Sequence, residues 1–425
     1  MLEHKLKDLK GHGRLALAVS GGRDSTALLL LAARILDIGK LHVLTVDHKL
    51  RPEAAGEAAL VKNLAGRFGL AHTTLEWLGE KPETGIQAAA RDVRYALMTG
   101  WCREHGYSSL VTAHTLDDQA ETVLMRLKRG SGVDGLAAMA PESWRAGVCL
   151  LRPLLDVTRS QLTEFLERNG QGWIDDPSNE DQEFERIRLR KNWTLVEDIG
   201  LTREHLARAA MKLGRARAAL EHAAASLLEA SCTVSDLGIA SIRRKSFQAA
   251  PEELRLRALS RCLQAIGGAD RPAKEDSLER ALHWLGSAGS GAITLAGCRL
   301  ATQAGETVIA RELGRISQTA IAVADDREVF WDNRFRISAS GITSVLTAAP
   351  VGKDGWASLK AVRPAIPAFA GRSLPALWHD DHIIAVPSFN YVSPDAPQNS
   401  RFSAVFANRD LLRRPPQGHS VTGSS

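Results

Sequence analysis

Cysteine is scarce and poorly placed for cross-linking. The 425-residue chain carries five, at positions 102, 149, 232, 262 and 298, an odd number, far apart and never as Cys-x-x-Cys. That excludes a disulfide framework and a cysteine-built zinc site, and leaves buried, reduced thiols as the expectation. Long apolar runs are absent as well. No segment approaches the ~20 residues of a membrane span, and the opening Met1–Lys10 is charged and amphipathic, without the apolar core of a signal peptide. A soluble, cytoplasmic protein with no membrane partner is therefore expected. What the chain does have is 44% hydrophobic residues, enough to fold without staples, and a length that suggests about two to three domains.

The first part alternates short apolar runs with longer helical patterns, the signature of an α/β domain with a doubly wound, mostly parallel sheet. Strands are expected at 15–19, 41–46, 72–76, 109–113 and 148–151, and helices at 24–36, 54–68, 86–105, 117–128 and 159–168. Residues 1–198 form this domain. Residues 199–315 read as mostly helical, with breaks near 231–236 and 267–272 and a closing β-like passage at 292–311; residues 316–412 read as a small β-rich domain, and 413–425 as a disordered tail. Charge is uneven. Between Arg186 and Arg261 there are 15 Lys and Arg against 8 Asp and Glu, so this stretch carries +7 and the rest of a chain with net charge +5 carries −2. A basic segment on a near-neutral body suits a phosphate-backbone partner, and it equally suits solvated helix faces.

Three polar clusters follow expected strands, where ligands bind on such sheets. The first is Ser20-Gly21-Gly22-Arg23-Asp24-Ser25. Paired glycines between a strand and a helix let the backbone turn and approach an anion, and the helix start supplies N–H groups and partial positive charge. A lone Gly-Gly would indicate only a turn. The segment lacks both the Gly-Lys-Ser/Thr ending of a Walker A loop and the spacing of a dinucleotide fingerprint. It resembles instead the Ser-Gly-Gly-x-Asp-Ser loop of the ATP pyrophosphatases, the PP-loop enzymes, which implies cleavage of ATP between the α and β phosphates with Ser20, Gly21, Gly22, Arg23, Asp24 and Ser25 holding the nucleotide. The second cluster is Asp47-His48-Lys49-Leu50-Arg51, a strand-to-loop transition taken alone. The third is Thr112 to Thr122. There Asp117 stands at a helix start, and Asp118 and Glu121 lie three apart on one helical face, placed to hold Mg2+, to bind an ammonium or to favour the helix dipole. On another helical pattern Arg91 and Arg94 share a face, which suits either a phosphate clamp or solvent.

Together with Arg129-Gly-Ser-Gly-Val-Asp-Gly-Leu136, Arg152-Pro-Leu-Leu155, Trp173-Ile-Asp-Asp-Pro-Ser-Asn179, Phe184-Glu-Arg186 and Arg190, these residues resemble the tRNA(Ile)-lysidine synthetase family over residues 14 to 191. The helical segment is similar in layout to that family's tRNA-binding middle domain. The resemblance implies a Rossmann-like PP-loop fold and an ATP-dependent ligation of free L-lysine to C2 of the first anticodon cytidine of tRNA(Ile) bearing CAU, through an adenylated cytidine, with release of pyrophosphate and AMP and a change of codon reading from AUG to AUA. It implies ATP and Mg2+, with Asp24, Arg94, His114, Asp118 and Glu121 in the catalytic set, and with Asp118, Glu121, Arg186 and Arg190 contacting substrate. Asp24 and Asp117 are the expected Mg2+ ligands, and the division of labour among the acids stays open. So does the oligomeric state, with a homodimer one option. The chain departs from the family at Lys49, where glycine is usual, at Ile187, where asparagine often stands, and in lacking a proline soon after Arg190. The rival readings are another PP-loop enzyme, such as a tRNA thiolase or a glutamine-dependent synthetase of the superfamily, and a noncatalytic RNA-binding protein with a relic ATP site. Thiolation ordinarily uses a sulfur-carrying cysteine, and none lies beside these motifs.

Overall fold

The computed structural model describes residues 2–50, 53–82, 84–174, 185–269, 271–287, 291–316 and 320–413. Arg51, the stretch from Asp175 to Phe184 and the tail from residue 414 lie outside the described residues. The chain forms two compact units, one ending at Arg217 and the other beginning at Ala218.

The first unit is built on strands β1 (Leu15–Ala18), β2 (Leu41–Asp47), β3 (Ala71–Glu76), β4 (Ser109–Val111), β5 (Glu142–Arg145) and β6 (Val148–Leu151). They lie in the order β3-β2-β1-β4-β6-β5, parallel throughout except for β5, which pairs antiparallel with β6 at the edge. Its helices are α1 (Arg23–Ile35), α2 (Ala54–Arg67), α3 (Ile86–Glu104), α4 (Leu116–Lys128), α5 (Val133–Leu136), α6 (Arg159–Arg168), α7 (Glu185–Lys191) and α8 (Trp193–Asp198). Central strands covered on both faces read as unbroken apolar runs rather than alternations, and Leu15-Ala-Leu-Ala is such a run. Leu17 packs with Leu28 and Leu29 of α1 on one side, while Ala16 and Leu44 pack with Met98 and Trp101 of α3 on the other. The chain therefore winds outward from β1 in one direction to β2 and β3, and in the other to β4 and β6. The switch point falls between β1 and β4, where such sheets leave a crevice beyond the strand ends.

Helix α9 (Arg203–Ser231) leads into the second unit. A hairpin of β7 (Cys232–Val234) and β8 (Ala240–Arg243) follows, then α10 (Arg244–Gln248), α11 (Glu252–Gly267), α12 (Glu275–Gly286), β9 (Ala292–Leu295), β10 (Cys298–Gln303) and β11 (Glu306–Arg311). These strands make a five-stranded sheet in the order β7-β8-β11-β10-β9, and two further sheets, of five and three strands, lie between Ile321 and Phe406. One hydrophobic cluster running from Leu228 to Leu412 serves the α11–α12 helices and these sheets together. Buried Asp332 pairs with both Arg311 and Arg334, joining β11 to the segment after residue 327. Among the described residues no helix is long and apolar enough to cross a membrane.

Candidate active site

Between β1 and α1 the chain turns through Gly21 at φ +87°, where a Cβ would stand 2.5 Å from the Ile174 side chain. Only glycine meets both demands. Gly22 caps α1 with no side-chain hydrogen bond to its first turn, so these N–H groups are left for an anion. Ser25 braces the loop: its hydroxyl donates to the Gly22 carbonyl at 3.0 Å and accepts from the Ser20 N–H at 3.2 Å, while the Thr26 hydroxyl donates to the Gly21 carbonyl. The Ser25 hydroxyl is thus committed to shaping the loop.

A cavity of about 470 Å3 opens beside this loop. Its walls include Ser20, Gly22, Arg23, Asp24, Ser25, Arg94, His114, Asp118 and Arg190, with Leu44, Val46, Tyr95 and Met98 as an apolar side. That volume lies in the range of small-molecule sites. Glu121 and Arg186 join it from behind through ion pairs. Gly21 turns the loop without lining the cavity, and Asp117 does not line it either. The Asp117 Oδ2 accepts the Arg159 backbone N–H at 2.8 Å, and its Oδ1 pairs with Arg203 at 3.1 Å.

Thr115 starts α4 in a capping box with Asp118, whose carboxylate accepts from both the Thr115 N–H and its hydroxyl. The other Asp118 oxygen pairs with Arg159 at 2.6 Å and with Arg190 at 3.8 Å. Glu121 is 2% exposed and takes Arg159 at 2.6 Å, Arg190 at 2.7 Å and Arg186 at 3.4 Å. Arg159 also reaches Asp24 at 3.5 Å. Burial would raise the Asp118 pKa, but Arg159, with His114 and Arg186, outweighs it and holds the carboxyl well below its usual range. The Asp24 carboxyl is raised, burial prevailing over Arg23 and Arg159. Arg159 was not among the expected site residues. Its signal was an arginine in the first turn of a helix without an acidic neighbour there, a place where the dipole disfavours positive charge.

His114, half-buried, shares a 2.9 Å hydrogen bond with the Thr112 hydroxyl, and burial lowers its pKa to about 3. His48 is lowered to about 4 by burial and by Arg94, whose guanidinium donates to its Nε2 at 3.1 and 3.2 Å. Both imidazoles are neutral near pH 7. Lys49, standing where glycine is usual, adopts the glycine-like φ of +49°, held by an N–H bond to the Asp47 carboxylate and a 2.8 Å pair with Glu76. Residues 135–139, at and just after the end of the 129–136 motif, brace α4: Arg126 donates to the Gly135 and Ala138 carbonyls, and Gln119 exchanges two hydrogen bonds with the Met139 backbone.

Among the described residues no group of three or more His, Cys, Asp or Glu side chains is placed to hold a metal ion. Mg2+ commonly needs only one or two carboxylates alongside substrate phosphates. Asp24, next to the phosphate loop and facing the cavity, meets that requirement. None of the five cysteines lines the cavity, and burial pushes Cys102, Cys149 and Cys298 up to about 12.

The PP-loop domain family matches residues 1–196. A tRNA(Ile)-lysidine synthase of Ruegeria pomeroyi is 39% identical over 344 residues, covering 80% of this chain and 78% of its own. One of Anaplasma marginale is 34% identical over 421 residues, covering 92% and 90%. A third, of Methylobacterium nodulans, is 45% identical over 272 residues, covering 64% of this chain and 80% of its own.

Proposed function

This chain belongs to the tRNA(Ile)-lysidine synthase family, and we propose that it joins free L-lysine to C2 of the first anticodon cytidine of tRNA(Ile) bearing CAU. The observation that carries this reading is the meeting, at one switch point, of a phosphate-binding loop with a buried pair of carboxylates. The cytidine C2 carbonyl is a poor electrophile. Its oxygen attacks the α-phosphate of ATP, pyrophosphate leaves toward the N-terminus of α1, and the resulting ester carries AMP as a good leaving group. The ε-amine of lysine then attacks C2 and AMP departs. Mg2+, bound with ATP and contacted by Asp24, would offset phosphate charge in the first step. Arg94, fixed by neutral His48, faces the cavity as a clamp for phosphate.

Lysine arrives protonated. With a reference pKa near 10.4, releasing the proton at pH 7 costs about 4.6 kcal/mol unless the site assists. An imidazole near pKa 3 is too weak a base to accept that proton directly, since the gap of about 7 units corresponds to roughly 10 kcal/mol. His114 therefore serves as a neutral hydrogen-bonding wall. Asp118 and Glu121 locate the ammonium, and the proton passes to solvent as the amine approaches C2. A thiolase reading is disfavoured because no thiol borders the cavity. Incubating the protein with CAU-bearing tRNA(Ile), ATP and labelled lysine should place label in the RNA. Pyrophosphate release without transfer of lysine would sink this reading.

A further inference from the structure

Helix α3 carries two arginines one turn apart, and the steps above use only one of them. Arg94 turns to His48, just past the end of β2. Arg91 lines the same cavity, but α3 packs across β2, β4 and β6, and Arg91 bears on His114 after β4 and on Arg152 after β6. The phosphate loop follows β1, which lies between β2 and β4. The two guanidiniums therefore flank that loop from opposite sides, with Arg91 on the side of His114 and α4.

Arg91 is oriented but has no counter-ion. Its guanidinium carbon stands 5.4 Å from the centre of the buried Tyr95 ring, and Asp92, the acid next to it in sequence, pairs with Arg145 at 2.8 Å. Two further arginines deepen the positive charge. Arg126 donates to the Gly135 and Ala138 carbonyls, and Arg152 to the Ala140 carbonyl and the Ser143 hydroxyl, so both spend these donors on neutral groups. Among the described residues no carboxylate lies within ion-pair distance of Arg91, Arg126 or Arg152. Burial lowers the pKa of Arg126 and of Arg152, and Arg91 lowers both further. Charge of one sign gathered at a cavity wall concentrates ligands of the other sign there.

We propose that Arg91 binds a phosphodiester of the RNA strand beside the target cytidine, holding that nucleotide on the β4 side of the cavity while the loop after β1 holds the phosphates of ATP. The proposal rests on the lysidine-forming reading above. Both substrates carry phosphate, and placement decides between them. The N-terminus of α1 and Arg94 are placed for the polyphosphate, whereas Arg91 faces the side where His114 and Asp118 stand and where the base must enter to meet lysine. Arginine suits the task because its planar fork takes two phosphate oxygens at once.

The test measures the affinity of the full chain for CAU-bearing tRNA(Ile) over a range of salt, and KM for ATP at saturating tRNA. Arg91→Gln should weaken tRNA binding about tenfold and make the slope of log K against log salt shallower by about 0.7, the share of one phosphate contact on a single strand, with KM for ATP within about twofold of the unaltered protein's. Arg91→Lys keeps the charge without the fork and should weaken binding about fivefold at an unchanged slope; it carries the test if the glutamine variant fails to fold. Methylphosphonate linkages flanking the cytidine remove the charge from the RNA instead, so they should weaken binding to the unaltered protein about tenfold and to the variants clearly less. A tRNA affinity within about twofold of the unaltered protein's in every folded variant, or an equal loss from the modified linkages with and without Arg91, overturns the proposal. So does a rise in KM for ATP with tRNA affinity unchanged, which would give Arg91 to the polyphosphate. Failure of the unaltered protein to transfer lysine to the tRNA it binds would overturn the lysidine reading instead.

Discussion

Single residues in the first unit carry opposing demands, and Asp118 carries the most. It caps α4 through Thr115, pairs with Arg159 and faces the cavity. If Asp118 receives the ammonium as proposed, Asp118→Asn, which keeps the shape but removes the charge, should lower lysine transfer by about 10²-fold or more while pyrophosphate release falls much less. Equal loss of both steps, read in the same reaction, would move Asp118 to the ATP side. Titration adds a second prediction. Burial lowers the pKa of His42, His48, His72 and His114, so below the unfolded value near 6.5 the unfolded chain binds protons that the folded imidazoles refuse, and stability declines as the pH falls. Asp118, lowered by its partners, adds stability that is complete above about pH 3.9 and lost below it. Asp24 is raised and works in the opposite sense. The urea midpoint should therefore be highest above about pH 6.5 and fall steadily toward pH 4. A midpoint that rose on acidification would contradict the assignment of these imidazoles as neutral.

At the scale of elements, alternation of apolar and helical patterns was enough to locate β1, β2, β3, β4, β6 and helices α1, α2, α3, α4 and α6 to within two residues, because buried parallel strands and amphipathic helices differ plainly in period; the single-turn α5 was not expected. The edge strand β5 was not legible. Glu142-Ser-Trp-Arg has no apolar run, and it is a strand only because β6 offers it an edge. The β7–β8 hairpin likewise read as a break near 231–236, since its pairing with β11 is made by residues more than sixty positions away. At the site, the phosphate loop and the acid pair were legible as local motifs. The link between them was not, because Arg159 meets Asp24 and Glu121 only after α6 packs back against α1. The same packing makes the loop sensitive at Gly21. Gly21→Ala adds a Cβ against Ile174 and places alanine at φ +87°, which should cost about 1–3 kcal/mol of stability and weaken ATP binding. Thermal melting with and without ATP measures both, and an alanine variant with unchanged melting and unchanged ATP shift would refute the close fit.

For the whole molecule, the nucleotide and acid machinery lies in the unit that ends at Arg217, while the excess positive charge runs from Arg186 to Arg261. Choosing one tRNA among others that share an anticodon needs contacts away from the reacting base. Phosphate contacts would position the RNA and make affinity salt-dependent, and groove or single-strand contacts would supply identity. We expect a division of labour, with chemistry in the first unit and most tRNA recognition in the second. Where the chain is cut decides whether this can be tested. Trp193, Leu206 and Ala210 are buried with Ala120 and Val123 of α4, the helix that carries Asp118 and Glu121, so a fragment ending at Lys191 strips the packing from behind the acid pair and should melt well below one ending at Arg217. The longer fragment should bind ATP much as the full chain does. It keeps only part of the basic stretch, so its affinity for tRNA(Ile) should be at least about tenfold weaker, with a shallower slope of log K against log salt as fewer counterions are released. If the fragment ending at Arg217 bound tRNA(Ile) as tightly and selectively as the full chain, with the same salt slope, recognition would belong to the first unit and the second would need another role.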